Sequence, residues 1–135
     1  MADIYYNRFV TDLENIQDFT LTTVGITEAV SYSYQVSAFN WNGETLATTK
    51  LNVTTGNSIL STSNYNHLEW DAVEGALGYC VYGRTSDATY GLLFKSLLAD
   101  FTELSGGRVY WNDQGQNTPD NTKQPTADNT TGAIS

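Results

Sequence analysis

The sequence has 135 residues, and its 15 acidic against six basic side chains give a net charge of −9. This length supports one domain and leaves too few residues for a second core. The negative charge disfavours nucleic acid and anionic bilayers as partners, and the single cysteine, Cys80, excludes an internal disulfide.

Tyr, Val, Leu and Thr are frequent in the sequence, a composition that favours strands over helices. The N-terminus lacks the basic start and apolar run of a signal peptide, and no apolar stretch approaches the roughly 20 residues that span a bilayer. We therefore expect a protein that forms in the cytoplasm and has no membrane partner.

Residues 1–17 are an apolar segment diluted by acidic residues, ahead of the first strand pattern. The spacing fits neither strand alternation nor a convincing helix, and a helix of this length would be marginal alone in water. We predict an N-terminal arm that attaches to a partner, the alternative being that it covers the domain's own core. The side chains predicted to contact the partner are Tyr5, Tyr6, Phe9, Val10 and Leu13.

Alternation with period 2 follows the arm and is broken by turn residues at short intervals. Residues 19–23 predict a first strand that ends at Gly25. Residues 31–38 alternate polar and apolar side chains, so we expect one face of this strand to be buried. The Asn-Gly pair within residues 40–43 predicts a hairpin turn into a strand over residues 47–54.

Further strand patterns follow at regular spacing, which is typical of a sandwich or barrel. They cover residues 67–70, 78–82, 90–98 and 108–112. Within the second of these patterns, Cys80 and Tyr82 fall on the face opposite to the core. The side chains predicted to form the core are Tyr32, Tyr34, Val36, Leu51, Val53, Leu68, Trp70, Tyr79 and Val81.

After Asp113 the chain becomes rich in Asn, Thr, Asp, Gln and Gly. We predict that residues 119–135 form an extended polar tail beyond a sandwich of residues 18–118. The tail carries too little apolar surface to offset the entropy lost on ordering. Two interpretations stay open: a disordered end, or an arm that orders on a neighbouring subunit.

Three strings in this chain resemble the fibronectin type III-like domains of tailed-phage structural proteins. They are YSYQVSAFNWNGE from Tyr32, HLEWDAVEGALGYCVYGRTS from His67 and VYWNDQG from Val109. The positions that match the pattern are Tyr32, Tyr34, Val36, Ala38, Asn40, Gly43, Glu44, Trp70, Val73, Gly75, Ala76, Gly78, Tyr79, Val81 and Tyr82. The chain departs from the pattern at Gly83, where such domains often carry a bulkier residue, and in its N-terminal arm.

The resemblance implies an all-β, two-sheet antiparallel sandwich of the fibronectin type III or immunoglobulin-like kind. It also implies a virion protein: a capsid decoration or auxiliary capsid protein, a head fibre, or a tail accessory. The implied partners are other virion proteins, namely capsid, tail or fibre subunits. The chain is then expected in the virion as a homo-oligomer or in many copies.

No catalytic pattern stands out in the sequence. His67 is the single histidine, so no site with two histidine ligands can form. A Gly-x-Ser-x-Gly nucleophile elbow and a phosphate-binding loop are both missing. Acidic residues such as Asp71 and Glu74 fall in predicted turns, where they solvate loops. We therefore expect no enzymatic activity, no cofactor and no metal.

Aromatic residues make up 13% of the chain, more than a core of this size needs. Trp41, at the predicted hairpin tip, is therefore a further candidate for the partner interface, unless it folds back on the sheet edge. A second class of function also stays open. A carbohydrate-binding module would present Trp41, Trp111 and Tyr82 to glycans on a bacterial surface.

Overall fold

The computed structural model describes residues 12–85 and 89–132, which form an all-β sandwich. The strands are β1 (Thr20–Val24), β2 (Val30–Phe39), β3 (Leu51–Gly56), β4 (Tyr65–Asp71), β5 (Gly78–Arg84), β6 (Gly91–Leu97), β7 (Thr102–Leu104) and β8 (Arg108–Asp113). They build two antiparallel four-stranded sheets, ordered β1-β4-β8-β7 and β3-β2-β5-β6. The predicted two-sheet sandwich is thus confirmed. Within the described ranges, no helix has the length and apolar character needed to cross a membrane.

The inner faces of the two sheets meet in an aromatic core. Trp70 and Tyr79 make an edge-to-face contact with ring centroids 5.3 Å apart, and Phe101 packs edge-on against both. Phe94 stacks on Trp111 at 5.3 Å. The predicted core residues that the structure buries are Tyr32, Tyr34, Val36, Leu68, Trp70, Tyr79 and Val81.

The edge strand β3 is less well covered than its neighbours. Val53 is half-buried and packs against the core, whereas Leu51 is half-buried and lies outside the core cluster. The prediction that Leu51 is a core residue is therefore wrong. An edge strand has a partner on one side only, and Leu51 lines an open groove of about 290 Å³ beside Ile16 and Phe19.

The chain between β2 and β3 runs beside β2 before regular pairing begins. Thr45 exchanges two bonds with Ala38: its backbone N–H donates to the Ala38 carbonyl at 2.8 Å, and its Oγ1 accepts from the Ala38 N–H at 3.0 Å. Thr48 does the same with Val36, at 2.9 and 3.1 Å. Here threonine hydroxyls accept from β2 in place of backbone carbonyls, so regular strand pairing is interrupted. The strand predicted over residues 47–54 therefore begins only at Leu51, the first residue of β3.

The outer face of the β3-β2-β5-β6 sheet carries a second apolar cluster. Its members are Cys80, Tyr82, Tyr90, Phe39 and Leu92. We call residues 119–132 the C-terminal strap. Its residues 120–124 lie against this face, where Leu92 and Asp120 exchange backbone hydrogen bonds of 3.2 and 2.9 Å. Both predictions for the tail are therefore wrong for the described residues of the strap, because they pack on their own sandwich.

A buried polar node ties the two sheets together. The Asp113 carboxylate, which is fully buried, accepts from the Tyr34 hydroxyl at 2.5 Å and from Arg84 Nε and Nη2 at 2.7 and 2.8 Å. Asn66 Nδ2 donates to the Tyr34 hydroxyl oxygen at 2.8 Å. Burial raises the pKa of Tyr34 far above its ordinary value, so the phenol stays protonated as a donor.

Gly83 lies directly beside this node. A Cβ atom at Gly83 would lie 2.7 Å from Cδ1 of Tyr34 and 2.9 Å from Cδ1 of Leu93. The hydrogen bond to Asp113 fixes the Tyr34 ring, so a bulkier residue has no room.

Candidate attachment surface

The loop of residues 40–43 presents Trp41 at one end of the sandwich, with 89% of its surface exposed. Asn40 Oδ1 accepts from the backbone N–H groups of Asn42 and Gly43 at 2.9 and 3.1 Å, and Asn40 N–H donates to the Gly43 carbonyl at 2.9 Å. The loop backbone is thus fixed while the indole stands in solvent. Rigid exposed aromatics of this kind supply much of the binding energy at protein interfaces.

Residues 12–17 join the sandwich at this same end, which we call the Trp41 end. The backbone N–H of Leu13 donates to Thr131 Oγ1 at 2.7 Å. Further along, the Asp71 N–H donates to the Gln17 carbonyl at 3.0 Å. The segment is therefore pinned to the domain before β1 begins.

Leu13 and Ile16 are buried in the main core, with exposures of 9% and 7%. The prediction that Leu13 contacts a partner is therefore wrong. Burying each side chain contributes about 1.5–3 kcal/mol, which explains why the segment packs on its own domain. Residues 12–17 of the predicted arm thus belong to the sandwich. The other predicted contacts of the arm, Tyr5, Tyr6, Phe9 and Val10, lie outside the described residues.

The end of the strap lies against the Trp41 loop. The Thr131 carbonyl accepts from Asn40 Nδ2 at 2.9 Å and from Asn42 Nδ2 at 3.2 Å. A Cβ atom on Gly43 would lie 2.0 Å from Thr130 Oγ1, so the close approach of the strap requires glycine there. These contacts are not predicted by any periodicity in the sequence, and the only signals for them are the Asn-rich turn and the Asn-Thr-Thr string.

Leucines are also exposed at the Trp41 end. Leu97, Leu98 and Leu104 are 58%, 40% and 39% exposed. The Leu98 N–H donates to the Leu77 carbonyl at 3.0 Å, and the Leu77 N–H donates to the carbonyl of Phe39, which directly precedes the Trp41 loop. This end therefore combines a projecting indole with further apolar surface.

An acidic hollow of about 620 Å³ lies between the start of the described chain and the loop that follows β4. Asp12, Glu14 and Glu74 line it. Among the residues that the structure describes, no group of three His, Cys, Asp or Glu side chains is arranged to hold a metal ion. The three carboxylates give this end of the sandwich a negative potential, and Asn40, which also lines the hollow, directly precedes Trp41.

The opposite end of the sandwich carries two exposed isoleucines. Ile26 and Ile59 are 71% and 74% exposed. Asn57 holds their loops together, since its Nδ2 donates to the Ile26 carbonyl and its Oδ1 accepts from the Ile59 N–H, both at 2.9 Å.

The outer face of the β1-β4-β8-β7 sheet holds a hydrogen-bonded row around His67. Its Nδ1 lies 2.7 Å from Asn112 Oδ1, and its Nε2 lies 3.1 Å from Glu69 Oε1. Arg108 donates to Glu69 Oε2 at 2.9 Å and to Asp71 Oδ1 at 3.0 Å. The hydrogen bonds from His67 and Arg108 hold the pKa of Glu69 below its ordinary value. These side chains satisfy one another, as on a solvated sheet surface.

The three aromatic residues predicted to present a face to glycans do not form a common platform. Trp111 is 7% exposed and stacks on Phe94 in the core. Tyr82 is 3% exposed beside the strap, where its hydroxyl donates to Glu44 Oε2 at 2.5 Å. Trp41 is the exposed member of the three, so this form of the carbohydrate-binding prediction is wrong.

The two packed antiparallel sheets define the chain as an immunoglobulin-like β-sandwich. Comparisons with known family models, curated proteins and solved structures gave no match to it.

Proposed function

We propose that this chain is a non-enzymatic structural protein of a bacteriophage particle and attaches to it through the Trp41 end. The observation that carries the proposal is that three features meet there. They are the exposed indole of Trp41, the segment of residues 12–17 and the end of the strap at Thr131, which bonds both Leu13 and Asn40. The apolar residues 1–11 are joined to the domain at this end. The sequence resemblance to phage structural domains supports the assignment to a particle.

The chemistry of the Trp41 end defines the partner surface. An apolar recess would receive the indole, and basic side chains would face the acidic hollow, since opposite potentials orient two proteins as they meet. Attachment at one end leaves both sheet faces displayed. On a symmetric particle, many copies would add avidity to a modest single contact. Capsid, tail and fibre subunits are the proposed partners, and capsid decoration, head fibre and tail accessory are the proposed roles.

The attachment is tested by co-sedimentation of the purified protein with particles that lack it. Two variants address the Trp41 end: Trp41→Ala, and deletion of residues 1–11. The deletion stops there because Leu13 and Ile16 belong to the core. Loss of a central aromatic anchor typically costs 2 kcal/mol or more, so we expect binding to weaken about 30-fold in Trp41→Ala.

Ile59→Ala is the matched control, since it removes a 74% exposed apolar side chain at the opposite end. It should bind as the parent protein does. Unchanged binding of both Trp41-end variants would contradict attachment through this end. The assignment to a particle is tested separately by mass spectrometry of particles purified from infected cells, where absence of the chain would contradict it.

A further inference from the structure

The lysines of this acidic protein gather on one face. The sequence has three: Lys50, Lys95 and Lys123. Lys50 Nζ lies 4.0 Å from the ring centroid of Tyr90, and Lys95 Nζ lies 4.8 Å from that of Phe39. Both rings belong to the outer cluster of the β3-β2-β5-β6 sheet, and Lys123 lies in the strap beside it. The ammonium groups of Lys50 and Lys95 therefore lie on the outer face of this sheet, and Lys123 lines the cleft on the same face.

These lysines differ from the described arginines in their partners. Arg84 pairs with Asp113, and Arg108 pairs with Glu69 and Asp71. Among the described residues, no carboxylate lies within 4.0 Å of a lysine ammonium group. No described carboxylate contacts these three cations, although hydrogen bonds from Thr122 and, to a lesser degree, the charge of Lys123 lower the pKa of Asp120 in the same strap. In a chain with 15 acidic residues, this face is therefore the one that best suits an anion.

A cleft of about 370 Å³ lies between the strap and the sheet on this face. Its lining includes Glu44, Tyr82, Lys95, Lys123 and Gln124. Two of the three lysines therefore open onto one cleft, while Lys50 stands on the same face outside it. The cleft walls are held in place, since Gln124 Nε2 donates to the Tyr90 carbonyl at 2.8 Å and to the Asn121 carbonyl at 3.0 Å.

Glu44 gives the cleft a second chemical character. Its Oε2 accepts from the hydroxyls of Ser37 and Tyr82, both at 2.5 Å, and these bonds fix the carboxylate. Its Oε1 has no hydrogen-bond partner among the described residues, which leaves this oxygen to accept from a hydroxyl group of a ligand. A carboxylate in the cleft would repel a purely anionic ligand but would suit one that also carries hydroxyl groups.

We propose that this cleft binds a carboxylate-bearing saccharide, such as a hexuronic acid unit of an acidic polysaccharide. The ammonium groups of Lys95 and Lys123 bind the sugar carboxylate. Glu44 Oε1 accepts from a sugar hydroxyl. The ligand thus has to combine negative charge with hydroxyl donors, a combination that acidic peptides of Asp and Glu lack.

The test is a calorimetric titration of the full chain with an oligomer of hexuronic acid. The neutral oligomer of the corresponding hexose and a polyglutamate peptide of equal charge serve as comparison ligands. We expect the hexuronate to bind at least about tenfold more tightly than either. Charge-assisted hydrogen bonds contribute enough for Lys95→Gln and Lys123→Gln each to weaken binding about tenfold.

Lys50→Gln is the matched control, because it removes the same charge from the same face but outside the cleft. It should change affinity less than twofold. Glu44→Gln should weaken hexuronate binding, whereas simple attraction between net charges predicts that it strengthens binding. Circular dichroism and thermal unfolding check that each variant is folded.

Several results would overturn the proposal. These are no measurable hexuronate binding at millimolar concentration, equal binding of the neutral oligomer, or an effect of Lys50→Gln equal to that of Lys95→Gln. Polyglutamate binding as tight as hexuronate binding would also overturn it and would indicate an acidic protein segment as the ligand.

Discussion

Replacement of Asp113 by alanine should lower the urea concentration at which the protein unfolds. The carboxylate is fully buried and accepts four hydrogen bonds: one from the Tyr34 hydroxyl, two from Arg84 and one from the Gly115 N–H. Without it, the guanidinium of Arg84, whose side chain is 17% exposed, loses its ion-pair partner. Removing one member of a buried pair costs about 3–5 kcal/mol, a large part of the roughly 5–15 kcal/mol that stabilises a domain.

The assay is equilibrium unfolding in urea, followed by tryptophan fluorescence, which changes as the buried Trp70 and Trp111 become exposed. With a slope of about 1–3 kcal/mol per molar urea, the midpoint should fall by about 2 M while the slope stays unchanged. Tyr34→Phe is the milder comparison, since it removes no charge but only the two hydrogen bonds of the hydroxyl, to Asp113 and from Asn66, and should cost about 1–3 kcal/mol. The double variant Asp113→Leu with Arg84→Met removes both charges and should recover much of the loss.

The result that would refute this reasoning is a loss below about 1 kcal/mol for Asp113→Ala with an unchanged slope. The charge of Arg84 would then be satisfied by water after the substitution. In that case the node would not be what ties the two sheets together.

The remaining predictions concern three further positions. Leu13→Ala should cost about 2–4 kcal/mol in urea unfolding, because the side chain lies in the core, and an unchanged midpoint would contradict that placement. Burial raises the pKa of Cys80 to about 12, so a thiol reagent at about pH 8 should label it slowly in the folded protein and rapidly in concentrated urea; fast labelling of the folded protein would be the contrary result. The pKa of Glu69 is lower in the folded protein than its ordinary value of 4.5. The ionised carboxylate therefore stabilises the fold at pH values above 4.5, and this stabilisation is lost as the pH falls through the folded-state pKa. Glu69→Gln should therefore reduce stability at neutral pH by less than about 1 kcal/mol, because the ion pairs of this partly exposed side chain are screened by solvent, and the difference should vanish in acid; a difference that persists in acid would exclude this origin.

The alternation of polar and apolar residues could predict which side chains of the central strands face the core, because a strand inside a sheet has to bury its inward side chains. Tyr34, Trp70 and Tyr79 occupy inward positions in β2, β4 and β5, with a neighbouring strand on each side. A register shift by one residue would turn these rings to the outer face, so their spacing carries strong information. The same pattern places Cys80 and Tyr82 on the outer face, where they form the second cluster.

Alternation was less informative where the backbone is not paired regularly. Ahead of β3, the hydroxyls of Thr45 and Thr48 accept from β2 in place of carbonyl groups. In a sequence, a threonine that bonds the backbone cannot be told from one that simply occupies a strand. Leu51 therefore looked like a core position although it faces an open groove.

The strap could not be predicted from composition because polar contacts to distant residues hold it. Thr131 accepts from the Leu13 N–H across 118 positions, and Asn129 Nδ2 donates to the Leu13 carbonyl across 116. Such bonds depend on the sandwich already being folded and leave no period in the sequence. The usual inference from polar composition to a free tail fails here, since the domain itself supplies the hydrogen-bond partners.

The strap also connects the two proposed sites. Lys123 and Gln124 line the cleft, and Thr131 holds the Trp41 loop further along the same segment. A ligand shifts the equilibrium between two states of a protein only if it binds one of them more tightly. A saccharide in the cleft would bind the state in which the strap already holds the Trp41 loop. We therefore expect a hexuronate at 100 times its dissociation constant to stabilise the fold by about 2.7 kcal/mol and to leave co-sedimentation with particles unchanged. A change in particle binding on adding the saccharide would mean that the strap has a second arrangement and that the two sites are coupled.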